Sequence, residues 1–422
     1  MTSKTENNVR YIFSQGFLML FLKVFGAIVT FLLTLKIAKT FGVSDSGVYF
    51  FIISTLSFIS SFSMLGLNGA ALKKFSLKDE SKYLMSDFMI LNLFSSLGFI
   101  FFIYMVFIIS KSVGFSHEIL SEYVTYLLVL IFPFACIQIQ SSIYQARLKT
   151  TFSALYTNLG YQSLLLLYLF FYDSDDIKNI LFFLTISLYV MISVFFVCNF
   201  KEIKISPSKA IYRHRRILSL SIPMMGAQVI SQVNNFASHF LLSIFSSTSD
   251  ISLYSVCIRI AVLISFVSTS VSRVCAPKFA SYYACGDHDS LKLIVKQSSR
   301  LLFFCSFILF VIVVLFGKVL LSLFGEDFVI AYPYLIILSL GQFFSGALGN
   351  VYYLLQMTGG EKLILKVIFL STGISLIIGI GIVPFYGILG ASLMALVTLV
   401  INSVYCSIVV YKNLNINPLA IL

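Results

Sequence analysis

Residues Gly47–Phe75 read GVYFFIISTLSFISSFSMLGLNGAALKKF, and Ser252–Ala280 read SLYSVCIRIAVLISFVSTSVSRVCAPKFA. Up to Lys73 the first stretch carries no charge, and it is longer than the ~20 residues that cross a hydrocarbon core as a helix. A spanning helix satisfies its own backbone hydrogen bonds, whereas a membrane barrel would show short alternating strands instead of long apolar runs. Immediately upstream the two stretches carry the same signature. Ser44-Asp45 with Tyr49 reads SDSGVY and Ser249-Asp250 with Tyr254 reads SDISLY, and Lys74-Phe75 and Lys278-Phe279 close the two copies.

Outward from these two runs, further apolar stretches repeat along the 422 residues. The expected spans lie near 17–38, 47–72, 84–109, 123–143, 154–172 and 179–200, then 217–245, 251–275, 301–323, 333–356, 363–385 and 389–411. Composition agrees: 59% of residues are hydrophobic and 11% charged, where soluble domains carry roughly 25% charged residues. Mean hydropathy is +0.98. The expected fold class is therefore an all-α polytopic membrane protein, with about twelve transmembrane helices in two six-helix pseudo-repeated halves around a central cavity. The first apolar run is interrupted by Lys23 and Lys36 and lacks a small-residue cleavage site, so it reads as a helix and not as a cleaved signal. Seven cysteines show no paired spacing, which predicts neither a disulfide framework nor a metal site, and no cofactor is expected.

The basic segment Lys201–Arg216 separates span six from span seven. The predicted organisation is a first half over 1–200, a basic linker over 201–216 and a second half over 217–422. With the N-terminus inside, twenty Lys and Arg fall on inner segments and three, Lys39, Lys111 and Lys178, on outer ones. That asymmetry predicts both termini in the cytoplasm. It also explains the net charge of +12 as a topology signal, with membrane lipids as the partner of the inner loops and no nucleic acid expected. Because the motif recurs at the same topological place in each half, the halves read as a parallel duplication, an arrangement that places substrate between them.

Polar groups inside the spans are the candidate site. Helix seven carries Gln228, Gln232, Asn235 and His239 on one face, a stripe that suits either interhelical hydrogen bonds or a substrate. Helix eight carries Arg259 and Arg273, within about 40° of each other and ~21 Å apart along the axis. Lys23 lies within helix one. A charge at depth costs ~2.5–3.5 kcal/mol and marks a pathway or a pair. Against these cations the spans offer one carboxylate, Asp87, the candidate for ion coupling. Lys23, Arg259 and Arg273 come from opposite halves and are expected to line one cleft whose positive field attracts anions, guanidinium forks binding phosphate through two donors. Pro133 and Pro223 sit where lost hydrogen bonds permit kinks.

The twelve-span layout and the two quoted stretches resemble the multidrug/oligosaccharidyl-lipid/polysaccharide exporter superfamily, and within it the bacterial O-antigen and polysaccharide flippases often called Wzx. That resemblance implies an inner-membrane flippase moving an undecaprenyl-pyrophosphate-linked oligosaccharide to the periplasmic leaflet by alternating access, alongside a polysaccharide polymerase and chain-length machinery. It implies a transporter and not an enzyme. Many relatives carry an Asp-Arg pair on helix seven where this chain has Ser238 and His239, which weakens any ion site there. A multidrug cation antiporter of the same superfamily is the alternative, and it requires cavity carboxylates. A membrane-embedded polymerase or glycosyltransferase is the more remote one, and it requires a large outer loop. No nucleotide-binding G-x-x-x-x-G-K-[ST] loop is present, so transport is expected to be downhill or ion-coupled.

Overall fold

The computed structural model describes residues 2–76, 83–112, 118–147, 149–172, 176–204 and 210–414, and the side chains of residues 2–21, Lys23 and Arg273 lie outside what it describes. All its regular elements are helical. They are α1 (Thr2–Ser63), α2 (Leu67–Ser76), α3 (Leu84–Ser112), α4 (Glu118–Ala146), α5 (Thr150–Ala154), a π turn (Leu155–Leu159), α6 (Gly160–Phe171) and α7 (Ile177–Cys198). Then follow α8 (Ala210–Phe245), α9 (Thr248–Ala284), α10 (His288–Ser322), a 3-10 turn (Glu326–Ala331), α11 (Tyr332–Ala347), α12 (Gly349–Met357) and α13 (Glu361–Leu414). Among the described residues, eight stretches are long and apolar enough to cross a membrane. Two of the helices that hold them are double: α1 breaks at Gly42 and α13 at Gly387, where the backbone leaves helical angles. Each of the twelve expected spans thus has a helix or a broken helix.

The side chains show what solvent these helices meet. On α3, Phe94 is 67% exposed and Phe101 62%, with Phe102, Ile109 and Met105 beside them, while Leu84, Phe88, Asn92 and Ser96 are buried. A helix that turns large apolar side chains outward and keeps its polar ones, Asn92 and Ser96, inside suits a lipid surround. Chain contacts group into two compact units: residues Met1–Phe41 with Ile52–Gln232, and Gly42–Phe51 with Val233–Leu422.

In the first unit, α4 packs against α2, α3, α5 and α7, and α6 packs against α7. Thr30 of α1 reaches Gln162 of α6, Oγ1 to Oε1, at 2.5 Å. The second expected span, 47–72, is shorter than its sequence implied. It ends at Ser63, and the chain turns through Met64–Gly66 before α2 begins, with φ +47° at Leu65 and +74° at Gly66. A Cβ on Gly66 would run into the carbonyl of Ser221, so the glycine is needed both for its angle and for the approach. The fifth span begins at Thr150 and holds the π turn, while Pro133 and Pro223 are carried within continuous helices.

In the second unit, α9 packs against α10, α11 and α12, and α11 against α13. A cluster of Phe279, Leu291, Val295, Leu354, Val367 and Val410 joins α9, α10, α12 and α13. Ser247 caps α9 by accepting from the Asp250 N–H at 3.3 Å, and Asp287 caps α10 by accepting from the Ser290 N–H at 3.0 Å.

Candidate functional site

The second unit brings the two copies of the repeated signature together. Ser44 Oγ lies 3.1 Å from Thr248 Oγ1, and Ser46 Oγ 2.6 Å from Ser252 Oγ. Between them the backbone of Gly47 lies so near the Thr248 carbonyl that a Cβ there would collide with it. Only a residue without a side chain allows two helices this approach, the device by which small residues join membrane helices. Gly387, at the break in α13, faces the same place: a Cβ on it would lie 3.0 Å from Ser246 Oγ and 3.6 Å from Asp250 Oδ2.

One turn further along, the polar side chains of the second unit collect. Phe50, buried by its neighbours, has its ring centroid 6.0 Å from the guanidinium carbon of Arg259. His239 packs edge-on against Tyr254 at 5.2 Å, and its Nε2 lies 3.1 Å from Ser255 Oγ. Ser255 donates its own proton to the Ile251 carbonyl at 2.7 Å. The other ring nitrogen, Nδ1, lies 3.4 Å from the Asn235 carbonyl, so the ring is held from both of its nitrogens. His239 thus bridges α8 to α9. Arg259 lies four residues beyond Ser255 on the same face of α9. The half-buried guanidinium of Arg259 thus stands in the second unit with an aromatic ring, a buried hydroxyl and an imidazole, and a guanidinium is the side chain whose paired donors match oxyanions.

The remaining predicted residues are placed as follows. Asn235 is exposed on α8. Gln228 and Gln232 lie in the first unit, both half-buried, and Gln228 Oε1 is buried without a hydrogen bond among the described residues. The Lys23 and Arg273 side chains lie outside the described residues, so their predicted place beside Arg259 is a matter of sequence alone.

Asp87 is buried and held in the first unit. Arg213 Nε donates to Oδ2 at 2.6 Å and Arg213 Nη2 to Oδ1 at 3.1 Å, with His214 Nε2 at 3.2 Å from Oδ1. The Arg213 guanidinium also lies 5.0 Å from the Tyr83 ring. Arg213 stands before the start of the expected seventh span, and the hydrogen bond to Asp87 holds its pKa above the ordinary value. Asp87 is the residue that the sequence offered for ion coupling, and Arg213 lies within the basic segment Lys201–Arg216. Their pairing across 126 residues of chain was not legible. Ser46, Gly47, Phe50, Thr248 and Ser252 were likewise missed as contacts, although the duplicated motif was the signal that pointed at them.

Comparison with known proteins agrees with this architecture. The MatE family model matches residues 223–380. The capsular polysaccharide biosynthesis protein CapF of Staphylococcus aureus is 26% identical over 245 residues, 55% of this chain. That match spans 59% of the relative, less than two thirds of its length. Among solved structures, lipid II flippase MurJ in an inward closed conformation superposes with a TM-score of 0.75 at 19% identity, covering 93% of this chain and 87% of that one. An inward-facing multidrug resistance MATE family transporter of the MOP superfamily gives 0.66 at 14% identity, covering 92% of this chain and 94% of its own. The MATE multidrug transporter DinF-BH gives 0.66 at 15%, covering 95% and 94%. The fold is therefore that of these multi-pass transporters.

Proposed function

We propose that this chain is a flippase for a lipid-linked glycan, carrying an oligosaccharide on a polyprenyl pyrophosphate from the cytoplasmic to the outer leaflet of a bacterial inner membrane. The observation that carries the reading is the sign of the charge available inside the spans. Arg259 is set among Phe50, Ser255 and His239, while both oxygens of Asp87 are engaged by Arg213 and His214. An organic cation or a coupling ion needs a carboxylate with a free oxygen, and in a low-dielectric surround a guanidinium disfavours such a ligand. A diphosphate gains from the same field and from the guanidinium fork. The similarity to CapF, by its name a capsular polysaccharide biosynthesis protein, and to the lipid II flippase fold supports the same substrate class.

The multidrug antiporter is kept as a second reading because MATE transporters share the fold. Deleting the gene separates the two: loss of surface glycan, with lipid-linked repeat units accumulating inside and unchanged sensitivity to lipophilic cations, is the expected result. Normal glycan display with hypersensitivity to those cations would overturn the flippase and favour the antiporter. In the complemented strain, Arg259→Ala should impair export more than Arg259→Lys, which keeps the charge but loses the fork. Full export by Arg259→Ala at normal protein levels removes Arg259 from the mechanism.

A further inference from the structure

By composition Lys201–Arg216 is a solvated basic linker, yet it is tied to the rest of the first unit at three places. Glu202 accepts from Arg147 Nη1, just beyond α4, at 2.6 Å. The Lys204 carbonyl accepts from Ser86 Oγ at 2.7 Å. Arg213 and His214 meet Asp87. Ser86 and Asp87 are neighbours in the first turn of α3, so two of the three ties end on one turn of helix. We infer that these ties make the segment a strap latched on Asp87, and that the first turns of α8 are helical because the latch holds them. The inference does not depend on what the chain transports.

The charges of α8 show why a latch is needed. Arg213, Arg215 and Arg216 stand within its first two turns with His214 between them, and no acidic residue occurs from Ala210 to Phe245. The N-terminus of a helix is its positive end, so cations placed there oppose the helix that carries them. Asp87 reverses that balance from outside. Its carboxylate lies in the first turn of α3, where that helix favours a negative charge, and it takes two donors of the Arg213 guanidinium in a charge-assisted pair. Further along, α8 is seated differently. Gly66 lies against the backbone at Ser221 and Met225, and a Cβ on Gly69 would be 3.3 Å from Met224 Sδ, contacts of close packing that need no charge. The partners in the strap, by contrast, reach water: the Arg213 and His214 side chains are 19% and 21% exposed and Glu202 49%. Such partners regain hydration when they separate, so a tie of this kind opens more readily than an apolar contact. The strap and the start of α8 therefore open together as one local unit, while the remainder of the helix stays seated.

The test is hydrogen exchange read by mass spectrometry on the purified full chain in detergent. The informative amides are those of Glu202 and Ile203, both bonded to the Asn199 carbonyl, and of His214–Arg216, the first in α8 to bond within the helix. Asp87→Asn, which keeps the shape and loses the charge, should speed exchange of both groups by about tenfold, the size of one hydrogen-bonded charge pair, and leave residues 224–232 unchanged. Arg213→Lys should speed them by less, since it keeps the charge and loses the fork. Should Asp87→Asn fail to fold, Arg213→Gln removes the same pair from its more exposed side. In a chain whose exposed Cys198 and Cys285 are replaced by serine, Arg147→Cys and Glu202→Cys joined by a cleavable bifunctional thiol reagent should slow exchange at His214–Arg216, and cleavage should restore it. Unchanged exchange at His214–Arg216 in Asp87→Asn, or in Arg213→Gln where that variant replaces it, would overturn the latch. An equal acceleration along the whole chain would do so too, because it reports a general loss of stability. A cross-link at 147 and 202 without effect on His214–Arg216 would overturn the strap as a single unit.

Discussion

After Tyr49 the first copy of the repeat runs as helix only to Ser63, turns at Met64–Gly66 and restarts as α2, whereas after Tyr254 the second copy continues unbroken to Ala284. Counting forward equally from Ser44 and Ser249, Gly47 corresponds to Ser252 and Gly66 to Val271, and counting back from Phe75 and Phe279, where the second copy is one residue shorter, Gly66 falls opposite Ser270, which is no glycine either. The difference is carried by those two glycines. Val271 cannot enter the left-handed region that Gly66 occupies, so the turn is closed to the second copy. Ser252 has a side chain where Gly47 has none, so the first copy can approach the second, and the hydroxyl of Ser252 is there to meet Ser46. Duplication supplied two similar helices, and single residues then gave them unlike tasks. The ends of the copies differ as well. Phe279 lies in an apolar cluster with Leu291, Val295 and Leu354, while Phe75 lies 5.2 Å from the guanidinium of Arg147, which pairs with Glu202 at 2.6 Å.

Exchanging residues between the copies should expose the asymmetry. Gly66→Val combines a forbidden backbone angle with a collision against the Ser221 carbonyl, and is expected to destabilise by about 3 kcal/mol or more. The reciprocal Val271→Gly should cost only roughly 1 kcal/mol, the penalty of a glycine inside a helix. Thermal unfolding in detergent reads both, and equal shifts would mean that the turn at Gly66 is not what separates the copies. Gly47→Ser should cost about 2 kcal/mol by forcing the paired helices apart, against roughly 1 kcal/mol for Ser252→Gly, which removes one hydrogen bond and adds helix flexibility. Comparable shifts for the two would place the close approach elsewhere. Smallest is Glu202→Gln at the end of the first copy. Its carboxylate is 49% exposed, so the change is expected to lie within ~1 kcal/mol and to vanish at high salt. A larger, salt-independent loss would show that the Arg147–Glu202 pair anchors Phe75 as firmly as the apolar cluster anchors Phe279.

Much of the fold was legible because each spanning helix is decided locally. Leu84–Ser112 or His288–Ser322 is apolar enough to prefer hydrocarbon whatever its neighbours, and its backbone bonds close within four residues. The end of the second span was not legible, because the stretch around Leu65 and Gly66 is as apolar as the helix before it. Hydropathy carries no mark of a turn whose cause is the approach of Ser221, far along the chain. The site divided in the same way. Arg259 stood out in sequence as a charge at depth, Asp87 as the one carboxylate of the spans and the repeated motif as an echo, but the partners of each remained open.

By itself, then, the sequence determined the helical class, the approximate span positions, the repeated motif and the presence of charged residues within the spans, all properties of single residues or of windows one helix long. Only the tertiary structure decided that Asp87 is closed by Arg213, that Arg259 rests beside Phe50, and that the two motif copies meet through Ser46 and Ser252, 206 residues apart. The physical reason is range. Transfer into lipid is summed residue by residue, whereas a hydrogen bond or a ring contact acts over a few ångströms between groups that only the packing of distant helices brings together.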